Sequence, residues 1–188
     1  MISASLKACQ VLELSTQVST KCCEAFAVSN SSLILFGLIQ TSNRSEPQQE
    51  LLKLALIILL NVARHDDLAQ HVGKCQVATD TLVDLMTNFR DKKSIFCLAC
   101  ELLCRLISAS SSTKAVCNRT EYRTRLDKLS VIMTSKGRLD AKLKAINARP
   151  NKGAASPFSP KSAKGKACYL ANSEPLVCIQ HLISLISN

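Results

Sequence analysis

Tryptophan is absent from this chain, and the other aromatics are few, at two tyrosines and five phenylalanines in 188 residues. That scarcity argues against base stacking as a mode of nucleic-acid recognition. Glycine and proline number only five each, and alternating apolar–polar runs are rare, so the chain reads as all-α. The glycine-rich phosphate loops G-x-x-x-x-G-K and G-x-G-x-x-G are missing. So are the nucleophile elbow G-x-S-x-G and the zinc motif H-E-x-x-H. No enzyme and no cofactor is expected. The N-terminus lacks a long apolar segment, so no secretory signal is expected either.

What the chain has is aliphatic mass. Hydrophobic residues make up 47%, which argues against global disorder, and the length suits one domain with a real core. The densest stretch is Leu51–Ala63, LLKLALIILLNVA, interrupted only by Lys53 and Asn61. As a helix it rises about 20 Å, too short for a bilayer core of about 30 Å. It is therefore expected to be a helix buried on most faces by neighbouring helices. Ser45-Glu46-Pro47-Gln48 marks its start with a capping-box spacing and a first-turn proline.

In order, helices are expected over 1–16, 20–28, 33–40, the 51–63 stretch, 68–72, from Thr79 to 89, from Ser94 to 108, 114–117 and 121–135. Gly73 and Gly137 are read as stops. A short basic helix follows over 138–148. Blocks recur along this order. Ala55–Val62 aligns with Ala99–Leu106 at an offset of 44, Leu35 with Leu82 at 47, Leu82 with Leu126 at 44, and Ala8 and Val11 with Ala55 and Ile58 at 47. A period of this size, built of one short and two longer helices, resembles the armadillo repeat. The expected fold is an armadillo- or HEAT-like right-handed α-solenoid.

Residues 1–148 form the expected repeat domain. Residues 149–168, rich in basic residues, serine and proline, read as a linker, with Ser156 and Ser159 before prolines as candidate phosphorylation sites. Residues 169–188 carry a stripe of Leu176, Ile179, Ile183 and Ile186, read as a C-terminal helix folding back on the solenoid.

Charge is uneven. Residues 1–110 hold ten Lys/Arg and ten Asp/Glu, whereas 111–188 hold fourteen and four, so the whole net charge of +10 lies in the second part. Arg119, Arg123, Arg125, Lys128, Lys142 and Lys144 form a candidate basic surface for an acidic partner, through salt-sensitive contacts. Ten cysteines occur. Cys97, Cys100 and Cys104 fall on one helical face among leucines, which suits buried thiols in a reducing compartment better than a metal site.

Several segments together resemble the C-terminal end of the abnormal spindle family of microcephaly-associated spindle-pole proteins. They are Leu59-Leu60-Asn61-Val62, Ser94-Ile95-Phe96 running into Cys100-Glu101-Leu102-Leu103, Pro157-Phe158-Ser159-Pro160, and Pro175-Leu176 with Ile179-Gln180. The resemblance implies a terminal piece of a much larger microtubule-associated protein that organises spindle poles in mitosis. It implies residence in the cytoplasm and cytoskeleton, at the spindle pole or centrosome, and in the nucleus in interphase. The microtubule-binding, calponin-homology and calmodulin-binding IQ regions of such proteins are not in this stretch. Ile39-Gln40-Thr41-Ser42-Asn43-Arg44 matches half an IQ motif, but Pro47 interrupts the helix it needs, so calmodulin is not expected as a partner. Neither is a membrane.

The similarity to armadillo repeats carries one site expectation. In peptide-binding armadillo proteins an asparagine of the third helix faces the groove and hydrogen-bonds a peptide backbone. Asn61 matches that position, Arg105 replaces it in the next repeat, and Arg64 lies one turn beyond Asn61. Asn61, Arg64 and Arg105 are thus the candidate groove residues, with Glu101 placed to pair with Arg105. The functional expectation is a protein-interaction module at the spindle pole, touching microtubules through the basic surface. The alternative is an armadillo-type adaptor for nucleic acid or nuclear transport.

Overall fold

A helix that is apolar on every side must be enclosed, and the chain places two such helices side by side. In the computed structural model, which describes residues 2–147 and 174–187, these are α4 (Glu46–Val62) and α7 (Lys93–Ala109). Leu52, Ala55, Leu56, Ile58 and Leu59 of α4 are fully enclosed, as are Ile95, Phe96, Ala99, Leu102 and Leu103 of α7. Around them stand α1 (Ile2–Val18), α2 (Thr20–Val28), α3 (Ser31–Thr41), α5 (Asp66–Gly73), α6 (Ala78–Asn88), α8 (Ser111–Cys117), α9 (Thr120–Asn147) and α10 (Pro175–Ser187). The described residues contain no strand, and no single helix among them is long and apolar enough to cross a membrane.

Packing follows two rows. In one, α1 lies on α4, α4 on α7, and α7 on α10; in the other, α3 lies on α6 and α6 on α9. The sequence offset of 47 reappears as contact between the rows' junctions. Arg44, just before α4, holds the carboxylate of Asp91, just before α7, and its guanidinium stands 5.7 Å from the centre of the Phe89 ring. Lys93 at the start of α7 likewise pairs with Glu174 at the start of α10, at 2.7 Å. Leu35, Leu82 and Leu126 are all buried. Val11, by contrast, is 65% exposed while Ile58, its match at that offset, is fully enclosed. The reason is position: α1 has α4 on one side and no described helix on the other.

Several boundaries differ from the sequence expectation. α9 continues through Gly137 to Asn147. A glycine ends a helix when it adopts positive φ, and no described glycine does so. Gly73 closes α5 for another reason: a Cβ there would lie 2.8 Å from Thr113 Oγ1, so its bareness lets α8 approach. Thr79 lies inside α6 and is buried. Ser94 sits in the first turn of α7 behind Lys92. Ser45 does precede α4, with Pro47 in the first turn, but its hydroxyl makes no capping bond. Ser110, in contrast, caps α8 by accepting from the Thr113 amide. The linker at 149–168, with Ser156 and Ser159, lies outside the described residues.

Two outcomes follow in denaturant melts. Leu59→Ala and Leu103→Ala should each cost about 2–5 kcal/mol, as enclosed leucines do; a loss below about 0.5 kcal/mol would place them outside the core. Gly137→Ala adds a methyl that meets nothing within 4 Å. It should raise helicity and add about 0.5–1 kcal/mol to the stability of α9.

Candidate protein-interaction site

The end of α4 and the α4–α5 junction supply one wall of a cleft. Ala63 and Arg64 follow α4, and Asp66 opens α5 in a first turn where a carboxylate is favoured by the helix dipole. The second wall is α7, through Glu101, Cys104, Arg105 and Ser108. The third is α10, through Val177, His181 and Leu185. Together they enclose about 560 Å³.

Arg64 and Arg105, forty-one positions apart, thus share one opening. Glu101 is 3% exposed, and its Oε1 accepts from Arg105 Nε at 3.3 Å and Nη2 at 3.0 Å. A buried carboxylate needs such a partner, and the pair fixes the Arg105 side chain along the cleft wall. Arg64, Asp66 and His181 are exposed on its rim. Val177 and Leu185 add an apolar lining. His181, Asp66, Val177 and Leu185 were not among the sequence candidates. For the three on α10 the sequence signal is Ser173-Glu174-Pro175, which repeats the Ser45-Glu46-Pro47 before α4 and marks α10 as a helix of the same kind.

Asn61 does not join them. It is 2% exposed, and its amide donates to the Glu13 carbonyl oxygen at 3.3 Å and to Thr16 Oγ1 at 3.2 Å, both on α1. The expected groove amide is therefore an internal fastener of α1 to α4. The physical reason is that α1 occupies the side of α4 on which Asn61 stands. A polar residue between Leu60 and Val62 on an enclosed helix has to find its partner inside.

The basic residues divide as well. Arg123 donates to Asn118 Oδ1 at 2.9 Å and to Ser187 Oγ at 2.8 Å, tying α9 to α10. Arg125 pairs with Asp84 of α6. These two arginines serve contacts within the fold. Arg119, Lys128 and Lys142 are exposed. The Lys144 side chain lies outside the described residues.

Burial pushes the Cys104 thiol up to about 12, so it is no nucleophile near neutrality. Cys117, on α8, is fully enclosed and pushed up to about 11 by burial, against the lowering effect of its hydrogen bond with Thr79. Among the described residues no group of His, Cys, Asp and Glu is placed to hold a metal ion. The described cysteines form no disulfide. Cys97 and Cys178 hydrogen-bond to each other across α7 and α10, an arrangement that lowers Cys97 and raises Cys178.

Asn61→Ala should cost about 1–3 kcal/mol, since it strips partners from buried polar atoms on α1. A denaturant melt in which the variant matches the parent would show that this fastening is idle. A second outcome concerns pH. The thiols of Cys104 and Cys117 keep their protons up to about 12 and 11, against an ordinary 9.0. Tyr122, whose hydroxyl donates to Asp80, is raised to about 12, chiefly by that bond and then by burial, against an ordinary 10.0. On raising the pH the unfolded chain loses these protons first. Stability should therefore be flat with respect to these groups below about pH 9 and fall between about 9 and 12. Thermal melts across that range check it, and stability rising with pH there would contradict the assignment.

No family profile matches the chain, and no solved structure matches it. Curated relatives do. The abnormal spindle-like microcephaly-associated protein homolog of Canis lupus familiaris is 29% identical over 170 residues, covering 86% of this chain and 5% of that protein. The Felis catus protein of the same name gives the same figures. The Bos taurus one is 28% identical over 170 residues, with the same coverage. The chain thus spans about 5% of the length of the curated relatives it matches. Over most of its own length the chain is thus similar to the abnormal spindle-like microcephaly-associated proteins.

Proposed function

We propose that this chain is a non-enzymatic, armadillo-like protein-interaction module of a spindle-associated protein, and that the cleft between α4, α7 and α10 is its recognition site. The observation that carries the reading is the convergence of Arg64 from the α4–α5 turn, Arg105 from α7 and His181 from α10 on one opening with an apolar lining. Guanidinium and imidazole donors at the rim suit backbone carbonyls or side-chain oxygens of a peptide. Val177 and Leu185 suit its apolar side chains. The two packing rows and the 44–47-residue period support armadillo-like stacking, in which α2–α3–α4, α5–α6–α7 and α8–α9–α10 are successive units. In that scheme α10 is the long helix of the last unit.

The relatives' name supports a place on the spindle, and with it the spindle pole, centrosome and microtubule cytoskeleton as sites of action. The exposed Arg119, Lys128 and Lys142 would add long-range attraction to an acidic lattice such as a microtubule surface. A nucleic-acid or nuclear-transport adaptor is not favoured. The cleft lining sets Asp66 and Glu101 among its arginines, with Glu101 paired to Arg105, which is not the unbroken cationic track that phosphates call for.

The test is a pair of surface variants. Arg64→Glu with Val177→Asp alters only exposed side chains of the cleft; Lys7→Glu with Val28→Asp alters exposed side chains elsewhere. Both should keep the parental circular dichroism. Recovery of proteins from mitotic extract should drop by at least about tenfold for the cleft variant, equivalent to about 1.4 kcal/mol, and remain unchanged for the control. Equal recovery of the same proteins by both variants and the parent would sink the cleft as the recognition site.

A further inference from the structure

The outer face of α9 carries a pattern that neither the cleft nor a merely charged surface explains. Counting from Lys128, the positions 3, 4, 7, 11 and 14 residues on are Val131, Ile132, Ser135, Leu139 and Lys142. At 3.6 residues per turn these fall on one face. All are exposed: Val131 is 65%, Ile132 42% and Leu139 60% open to solvent, with Lys128, Ser135 and Lys142 also outward. The stripe is about 21 Å long at 1.5 Å per residue. A lysine stands at each end, the three aliphatic side chains lie between, and Arg138 flanks it, exposed.

We propose that this stripe is a docking surface for an acidic amphipathic helix, one with an apolar seam bordered by Glu or Asp. Charge selects the class of partner. Lys128, Arg138 and Lys142 are exposed and bound to no described carboxylate, while Arg123 and Arg125 on the inner side are already committed to Ser187 and Asp84. The cationic ends would meet carboxylates, and the aliphatic middle would be covered by the seam. The aliphatic middle also separates this partner from rivals. A polyphosphate or an unstructured acidic tail has no use for Val131, Ile132 and Leu139. A lipid surface calls for apolar and basic residues on opposite faces of the helix, whereas here they share one. Ser135, small and exposed at the centre of the stripe, leaves room for a close helix approach.

The experiment uses the full chain and three probes: a synthetic helical peptide of leucine and glutamate heptads, polyglutamate of equal charge, and vesicles containing phosphatidylserine. The leucine–glutamate peptide should bind, and binding should weaken as salt is raised. Lys128→Glu with Lys142→Glu should weaken it and flatten its salt dependence. Val131→Asp with Leu139→Asp should weaken it by at least about tenfold. Because the positions are exposed, circular dichroism should be unchanged, and the milder Val131→Asn with Leu139→Gln gives the same reading should the charged pair disturb α9. Polyglutamate binding as tightly as the heptad peptide, vesicles outcompeting it, or indifference to the aliphatic substitutions would each overturn the proposal. None of these outcomes bears on the cleft, whose residues are untouched.

Discussion

Enclosure of α4 and α7 is the constraint on which the rest depends. Each is apolar around its whole circumference, so each requires a helix on every side. That requirement places α1 on one flank of the pair and α10 on the other, with α2, α3, α5, α6 and α8 filling the remaining faces. It also decides the fate of the few polar side chains the two helices carry. Asn61 turns its amide to Glu13 and Thr16 on α1, and Glu101 takes the guanidinium of Arg105. Both are buried, so each needs a partner within the protein. The same enclosure builds the cleft, since the end of α4, the second half of α7 and one face of α10 meet there.

Much of this was legible in the residues. The run from Leu51 to Ala63 announced an enclosed helix. The alignment of Ala55–Val62 with Ala99–Leu106 announced a second one in an equivalent place. The i,i+4 spacing of Glu101 and Arg105 announced their pairing. What was not legible shares a cause, namely dependence on neighbours far along the chain. Asn61 was read as a solvent-facing amide because its position in the repeat says nothing of what lies across from it, and α1 lies across from it. Arg123 and Arg125 looked like part of an open basic face, but Ser187 and Asp84, 64 and 41 positions away, draw them inward. Gly137 looked like a stop because composition does not report backbone angles. That α10 folds back was expected from its apolar stripe, but its place on α7 as a wall of the cleft was not.

Two surfaces with different physics emerge. The cleft mixes carboxylates with its arginines, Glu101 pairing with Arg105, and has an apolar lining, which suits a specific contact whose geometry is imposed by its three walls. The outer face of α9 has unbalanced positive charge around an aliphatic centre, which suits attraction over distance followed by a shallow contact. Arg123 and Arg125 join α9 to the body between them.

The most direct measurement is native-state hydrogen exchange of the whole chain through a denaturant series, resolved helix by helix. If enclosure of α4 and α7 organises the fold, their central amides should exchange only through global unfolding. α10 should exchange at a similar free energy, because it completes the enclosure of α7. The outer part of α9 should open first. Exchange of α4 or α7 through an opening smaller than that of α9, or release of α10 while α7 stays fully protected, would contradict the account.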